Sequence, residues 1–133
     1  MPRSYLEGID MKNKELHESG LKVGEKVYGS SRFDDFVTEL SEYDKELADY
    51  LVENAFGQVL ARPGLDFKTR MLCNVAALAA MGIEPLLRSY IRGALRAGAS
   101  KQEVTEVLIQ MHLYAGWPRC VLGLRVMKEV FKE

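Results

Sequence analysis

The chain has almost no net charge: eighteen Lys and Arg against nineteen Asp and Glu leave −1 over 133 residues. Nothing in that balance points to nucleic acid or an anionic membrane as a partner. Cysteine is scarce. Cys73 and Cys120 form no C-x-x-C pair and no metal-ligand pattern, and the expected reading is two buried free thiols. Long apolar runs are missing too. Residues 75–83 are rich in alanine and too short to span a bilayer, and the opening M-P-R-S-Y-L-E-G lacks the apolar segment of a secretory leader. The expectation is a soluble cytoplasmic protein. Sustained period-two alternation and hairpin turn signals are absent as well, which argues against strands.

What is present is apolar enough to fold. Hydrophobic residues make up 47 % of the chain, against disorder, and the length suits one domain over residues 1–133. Residues 1–8 read as loose, inside an N-terminal arm of residues 1–30. Residues 10–28 are charged, with Leu16, Val23 and Val27 loosely spaced. They read as a helix interrupted by Gly20 and Gly24 that lies across the domain or a neighbouring subunit. His17 in this polar segment is expected on the surface. Gly29 breaks the helix, and Phe33, Phe36, Val37 and Leu40 make a short second one. Residues 44–60 read as an amphipathic helix with Leu47, Tyr50, Leu51, Asn54 and Ala55 on its apolar side, stopped by Arg62-Pro63-Gly64.

Asp66 is the expected N-cap of an alanine-rich helix ending at Gly82, small enough along its length to be central and packed on all sides. Pro85 suits the first turn of the next helix, which turns Leu86, Leu87, Tyr90, Ile91, Ala94 and Leu95 inward and carries Arg88, Arg92 and Arg96 as a separate stripe. Residues 100–118, S-K-Q-E-V-T-E-V-L-I-Q-M-H-L-Y-A-G-W-P, organise the second half. Ser100 and Glu103 spell a capping box. Val104, Leu108, Met111 and Ala115 recur at helical spacing, with His112 on their face. Gly116 stops the helix and Pro118 opens the last one, which carries Val121, Leu122, Leu124, Val126 and Val130. The fold class is all-α, with six or seven helices joined by short connections.

Four pieces of this half resemble the carboxymuconolactone decarboxylase family, which also contains the AhpD-type alkylhydroperoxidases. They are Arg62-Pro63-Gly64-Leu65-Asp66 with Lys68 and Arg70; the alanine-rich helix to Gly82; Arg88-x-Tyr90-Ile91-Arg92-Gly93-Ala94-Leu95 with Gly98; and Glu103 through Tyr114-Ala115-Gly116-Trp117-Pro118. Leu124-Arg125-Val126 also fits, so the resemblance covers roughly residues 36–131. It implies an AhpD-like helical fold whose subunits intertwine as trimers or hexamers.

The peroxidase branch resembles G-C-x-x-C-x-x-x-H with a relay glutamate one helix earlier. Here those cysteine positions match Ile83 and Leu86, the histidine Tyr90 and the glutamate Met71. Thiol peroxidase chemistry needs a thiolate, so a peroxidase is the disfavoured alternative. The decarboxylase branch implies conversion of 4-carboxymuconolactone to 3-oxoadipate enol-lactone and CO2, without metal or organic cofactor, in aromatic-compound catabolism through the β-ketoadipate pathway. That branch often has histidine where this chain has Tyr90, and His112 is the candidate to compensate from the neighbouring helix.

Such a reaction needs cations for the carboxylate that stays, a donor for the developing oxyanion and an acid that protonates carbon. The candidates are Arg70, Arg88 and Arg92 as substrate-binding cations, Tyr90 as oxyanion donor, His112 as acid, and Tyr114 and Trp117 as pocket wall. The expected ligand is a small carboxylated lactone or related acid. A non-catalytic helical oligomer that binds a ligand is the alternative from another class.

Overall fold

The computed structural model describes residues 11–133, all of them helical or in short connections. The loose segment expected at residues 1–8 lies outside the described residues. No helix among the described residues is long and apolar enough to cross a membrane. The chain divides into two compact units at Gly64–Leu65.

The first unit holds α1 (Met11–Tyr28), α2 (Ser30–Tyr43) and α3 (Lys45–Tyr50), which runs on as a π-helical segment, Leu51–Leu60. Gly29, at φ 83°, turns the chain between α1 and α2, a conformation that a Cβ disfavours. Asp44 caps α3 by accepting the Leu47 N–H at 2.9 Å. Contrary to the sequence reading, Gly20 and Gly24 do not interrupt α1. They let it approach its neighbours. A Cβ at Gly20 would run into the Val52 carbonyl, one at Gly57 into the Leu16 carbonyl, and one at Gly24 into the Phe33 ring. Each of the two crossing helices thus presents a glycine to the other's backbone.

His17 lies on the same side of α1 as these glycines. It is fully buried, with Nδ1 3.4 Å from Glu53 Oε1, and the expectation of a surface residue was wrong. The inward face of residues 45–60 also differs from the one expected. Ala48, Val52 and Phe56 are buried, while Leu47 and Tyr50 face solvent. The glycine-lined α1 comes so close that only a narrow face fits beneath it. Phe33 stacks edge-on against Phe56 at 5.0 Å, and Tyr28 lies 5.6–5.9 Å from Phe36 and Phe33, which closes an aromatic core.

The second unit is built on α4 (Phe67–Met81), against which α5 (Glu84–Arg96), α6 (Lys101–Gln110), α7 (His112–Ala115) and α8 (Trp117–Phe131) pack. Asp66 caps α4 as expected, accepting the Thr69 N–H at 2.9 Å and its hydroxyl at 2.7 Å. The end of α4 is Gly82, at φ 73°, with the Arg119 guanidinium where its Cβ would be. Met71, Val75 and Ala79 are buried, but Cys73, Ala77 and Met81 are exposed. The alanine-rich helix is therefore covered on one side and open on the other, not packed all round.

The capping box of α6 is present: the Glu103 N–H donates to Ser100 Oγ at 2.9 Å, and the Ser100 N–H donates to Glu103 Oε1 at 3.0 Å. Lys68 Nζ lies 3.2 Å from Glu103 and ties the starts of α4 and α6 together. Gly98, at φ 98°, ends the α5 turn, with the Ala99 N–H bonded back to the Ala94 carbonyl. The helix expected over residues 101–115 breaks at Met111 into α6 and α7. In α8, Cys120, Gly123, Val126 and Val130 are buried. At Gly123 a Cβ would lie 2.8 Å from Leu108 Cδ2 and 3.6 Å from Ala79 Cβ, so α8 crosses α4 and α6 there.

Two outcomes follow. Gly20→Ala is expected to lower stability by about 1–3 kcal/mol, because the crossing backbone must move; urea denaturation measures it. The Asp66 carboxyl is held below its ordinary value by the Thr69 N–H first and the Thr69 hydroxyl second. Its contribution is therefore present above the ordinary carboxylate range and lost as pH falls through the lowered folded value. Wild type should have a higher urea midpoint than Asp66→Ala at pH 7, and the gap should close on acidification.

Candidate active site

The residues singled out in the sequence fall into separate groups within the second unit. The first is aromatic and sits at the start of α8. Gly116, at φ 85°, joins α7 to α8 and folds His112 back onto Trp117, with ring centroids 5.1 Å apart and planes at 87°. His112 is exposed, as are its neighbours Leu113 and Tyr114 and, at 62 %, Trp117. The expectation that His112 shares the buried face of Leu108 fails because the break at Met111 interrupts the helical register between them.

The second group lies along α5 and the far end of α8. Arg88 Nη2 is 2.6 Å from Glu129 Oε2 and 3.5 Å from Glu84 Oε1. One turn on, Arg92 Nε donates to Glu133 Oε2 at 2.7 Å while its Nη2 donates to the other oxygen, a two-pronged pairing. This bonding to Glu133 raises the Arg92 pKa further above its ordinary value. Arg96, the third member of the stripe, is exposed. Tyr90 and Arg70 are both half-buried.

Trp117 and Glu129 are twelve residues apart on one helix, or roughly 18 Å along its axis. Within one chain the structure does not bring His112 and Trp117 together with Arg88 and Arg92.

Neither group lines a cleft that this unit carries between α4 and α6. That cleft, of about 170 Å³, is bounded by Thr69, Leu72, Cys73, Ala76, Val107, Gln110 and Met111. No charged side chain lines it. Sequence reasoning missed it, although its signal was there: small residues at 73 and 76 leave a furrow on a helix expected to be fully covered. Among the described residues no cluster of three His, Cys, Asp or Glu side chains is placed to hold a metal ion.

A family model for the carboxymuconolactone decarboxylase family matches residues 45–129. The chain belongs to the carboxymuconolactone decarboxylase family. It is similar to the 4-carboxymuconolactone decarboxylase of Acinetobacter baylyi, 31 % identical over 123 residues that cover 92 % of each chain. It is also similar to the nitrosuccinic acid decarboxylase of Metarhizium robertsii, 27 % identical over 93 % of this chain and 90 % of that one. An uncharacterized 15.0 kDa protein of Paracoccus denitrificans is 39 % identical over 85 residues, 62 % of this chain and 63 % of its own.

In this family setting the thiols are informative. Both are free, but Cys120 is buried as expected and Cys73 is exposed, contrary to expectation, because α4 leaves that side open. Ellman's reagent should titrate one thiol in the native protein and two after unfolding, with the native signal lost in Cys73→Ser.

Proposed function

We propose that this protein is a cytoplasmic decarboxylase of small carboxylated acids, with 4-carboxymuconolactone or a close analogue as substrate. The similarity to a 4-carboxymuconolactone decarboxylase along nearly the whole of both chains carries this reading. The similarity to a second decarboxylase, named for another small acid, supports the reaction class more than the substrate. The two substrates share a logic. Each loses CO2 from a carbon whose bonding pair can pass onto oxygen, through the double bond to the lactone carbonyl in one and onto the nitro group in the other. The electron sink belongs to the substrate, so the chemistry asks for no external one.

What the protein then supplies is charge and a proton. The C–C bond to the departing carboxylate breaks, the pair becomes a furan-like oxyanion, and a proton is delivered to carbon to give the enol-lactone. In this reading Arg88 and Arg92, with Arg70, hold the carboxylate that stays. Tyr90 donates to the oxyanion and His112 is the acid. Tyr114 and Trp117 wall off water. Because the arginine pair and His112 sit at opposite ends of α8, a site that uses both draws on two copies of the chain. The exposed apolar run Leu113, Tyr114 and Trp117 beside His112 supports such self-association. A homo-oligomer, trimeric or hexameric, is part of the proposal.

The test is CO2 release from 4-carboxymuconolactone and from nitrosuccinic acid, beside a hydroperoxide assay with a dithiol reductant. Many turnovers per subunit on either acid are expected, with no peroxide consumption; no release from either overturns the reading. His112→Gln and Tyr90→Phe should each lower kcat by about 100-fold or more in folded protein. Full turnover in either removes that residue's role. Trp117 is the sole tryptophan, so oligomerisation through α7 predicts an emission maximum that moves to longer wavelength on dilution.

A further inference from the structure

Two carboxylates at the end of α8, Glu129 in its last turn and Glu133 just beyond it, face two guanidinium groups one helical turn apart, Arg88 and Arg92, the first of which also reaches Glu84 at 3.5 Å. The cations are rooted: their side chains are 26 % and 16 % exposed. The anions lie on the solvent side, 60 % and 44 % exposed. Side chains four apart on a helix are about 6 Å from one another, a spacing that suits the two ends of a short dicarboxylic acid. The pairing at Arg92 is the forked one with which arginine takes a free carboxylate. The chain thus makes, with its own residues, the contacts that a bound dicarboxylate would make.

We propose that Glu129 and Glu133 are a built-in occupant of a dicarboxylate site: they keep Arg88 and Arg92 closed, and a dicarboxylate enters by displacing them. This rests on the reading above that these arginines hold substrate carboxylates, and it adds how the site is regulated. Val130, between the two glutamates, is buried. The last turn of α8 therefore stays anchored while Glu129 swings outward by a change of rotamer, and Glu133, just past the helix end, swings out beside it. Two surface ion pairs are a modest latch, which a ligand with two carboxylates can outcompete and one with a single carboxylate cannot. The arrangement sets a threshold: the site opens to diacids and stays shut to monoacids.

The experiment measures succinate binding by calorimetry to the full chain, with acetate as control. Wild type is compared with Glu129→Gln/Glu133→Gln and with Arg88→Gln/Arg92→Gln, alongside KM and kcat for 4-carboxymuconolactone. With the latch removed, succinate should bind at least about fivefold tighter, acetate binding should become detectable, and KM should fall with kcat held. The arginine variant should lose succinate binding. If the glutamate variant binds succinate no tighter than wild type while the arginine variant loses turnover, the latch is refuted and the arginine assignment survives. Turnover and succinate binding that persist without the two arginines sink both. Should the double glutamate variant fail to fold, Glu133→Gln alone is read the same way, with a tightening of about twofold expected.

Discussion

The second unit turns on the close crossing of α8 over α4 and α6 at Gly123. There the absence of a side chain lets Leu108 and Ala79 come into direct contact with the helix backbone. Gly123 is six residues from Trp117 and six from Glu129, so α8 is held at its middle and extends about 9 Å each way. One arm delivers Trp117 to His112, and the other delivers Glu129 and Glu133 to the arginines of α5. A bulkier residue at the crossing would tilt both arms together. The two candidate groups are thus mechanically joined without touching.

The first unit depends on the same device used reciprocally. Gly20 and Gly57 each accept the other helix's carbonyl, and this proximity decides what is buried. It draws His17 inside beside Glu53 and leaves Leu47 and Tyr50 outside. Helix propensity alone reads these glycines as weak points. Packing reverses that, since the loss in helix preference is offset by contact along the whole crossing.

Much of the architecture was legible because it is written in local chemistry. Asp66 and the Ser100–Glu103 box cap where the sequence places caps, and Asp44, read only as the start of its helix, caps it as well; Gly29, Gly82, Gly98 and Gly116 turn where positive φ is required; Pro85 and Pro118 open helices. The family resemblance was legible for a related reason, since its motifs sit at these same junctions. The candidate site was less so. Periodicity placed His112 inward by extrapolating from Leu108, and a single turn at Met111 undid it. The arginine stripe was visible, and so was Glu84 one turn before Arg88, but the glutamates of α8's far end lie forty-one residues on, where no local pattern links them. The reach between α5 and α8 is a property of the assembled unit. His17 could have been found by noticing that it shares a face with Gly20 and Gly24.

The Arg119 guanidinium over Gly82 has a consequence for how this sequence can drift. Position 82 is constrained twice, by its left-handed backbone and by the side chain that fills its missing Cβ. Position 119 is constrained once. A lineage can replace Arg119 and keep the turn, whereas a residue other than glycine at 82 requires both a strained backbone and a displaced arginine. Variation between the two sites should therefore run one way: arginine comes and goes at 119 over a glycine that does not change.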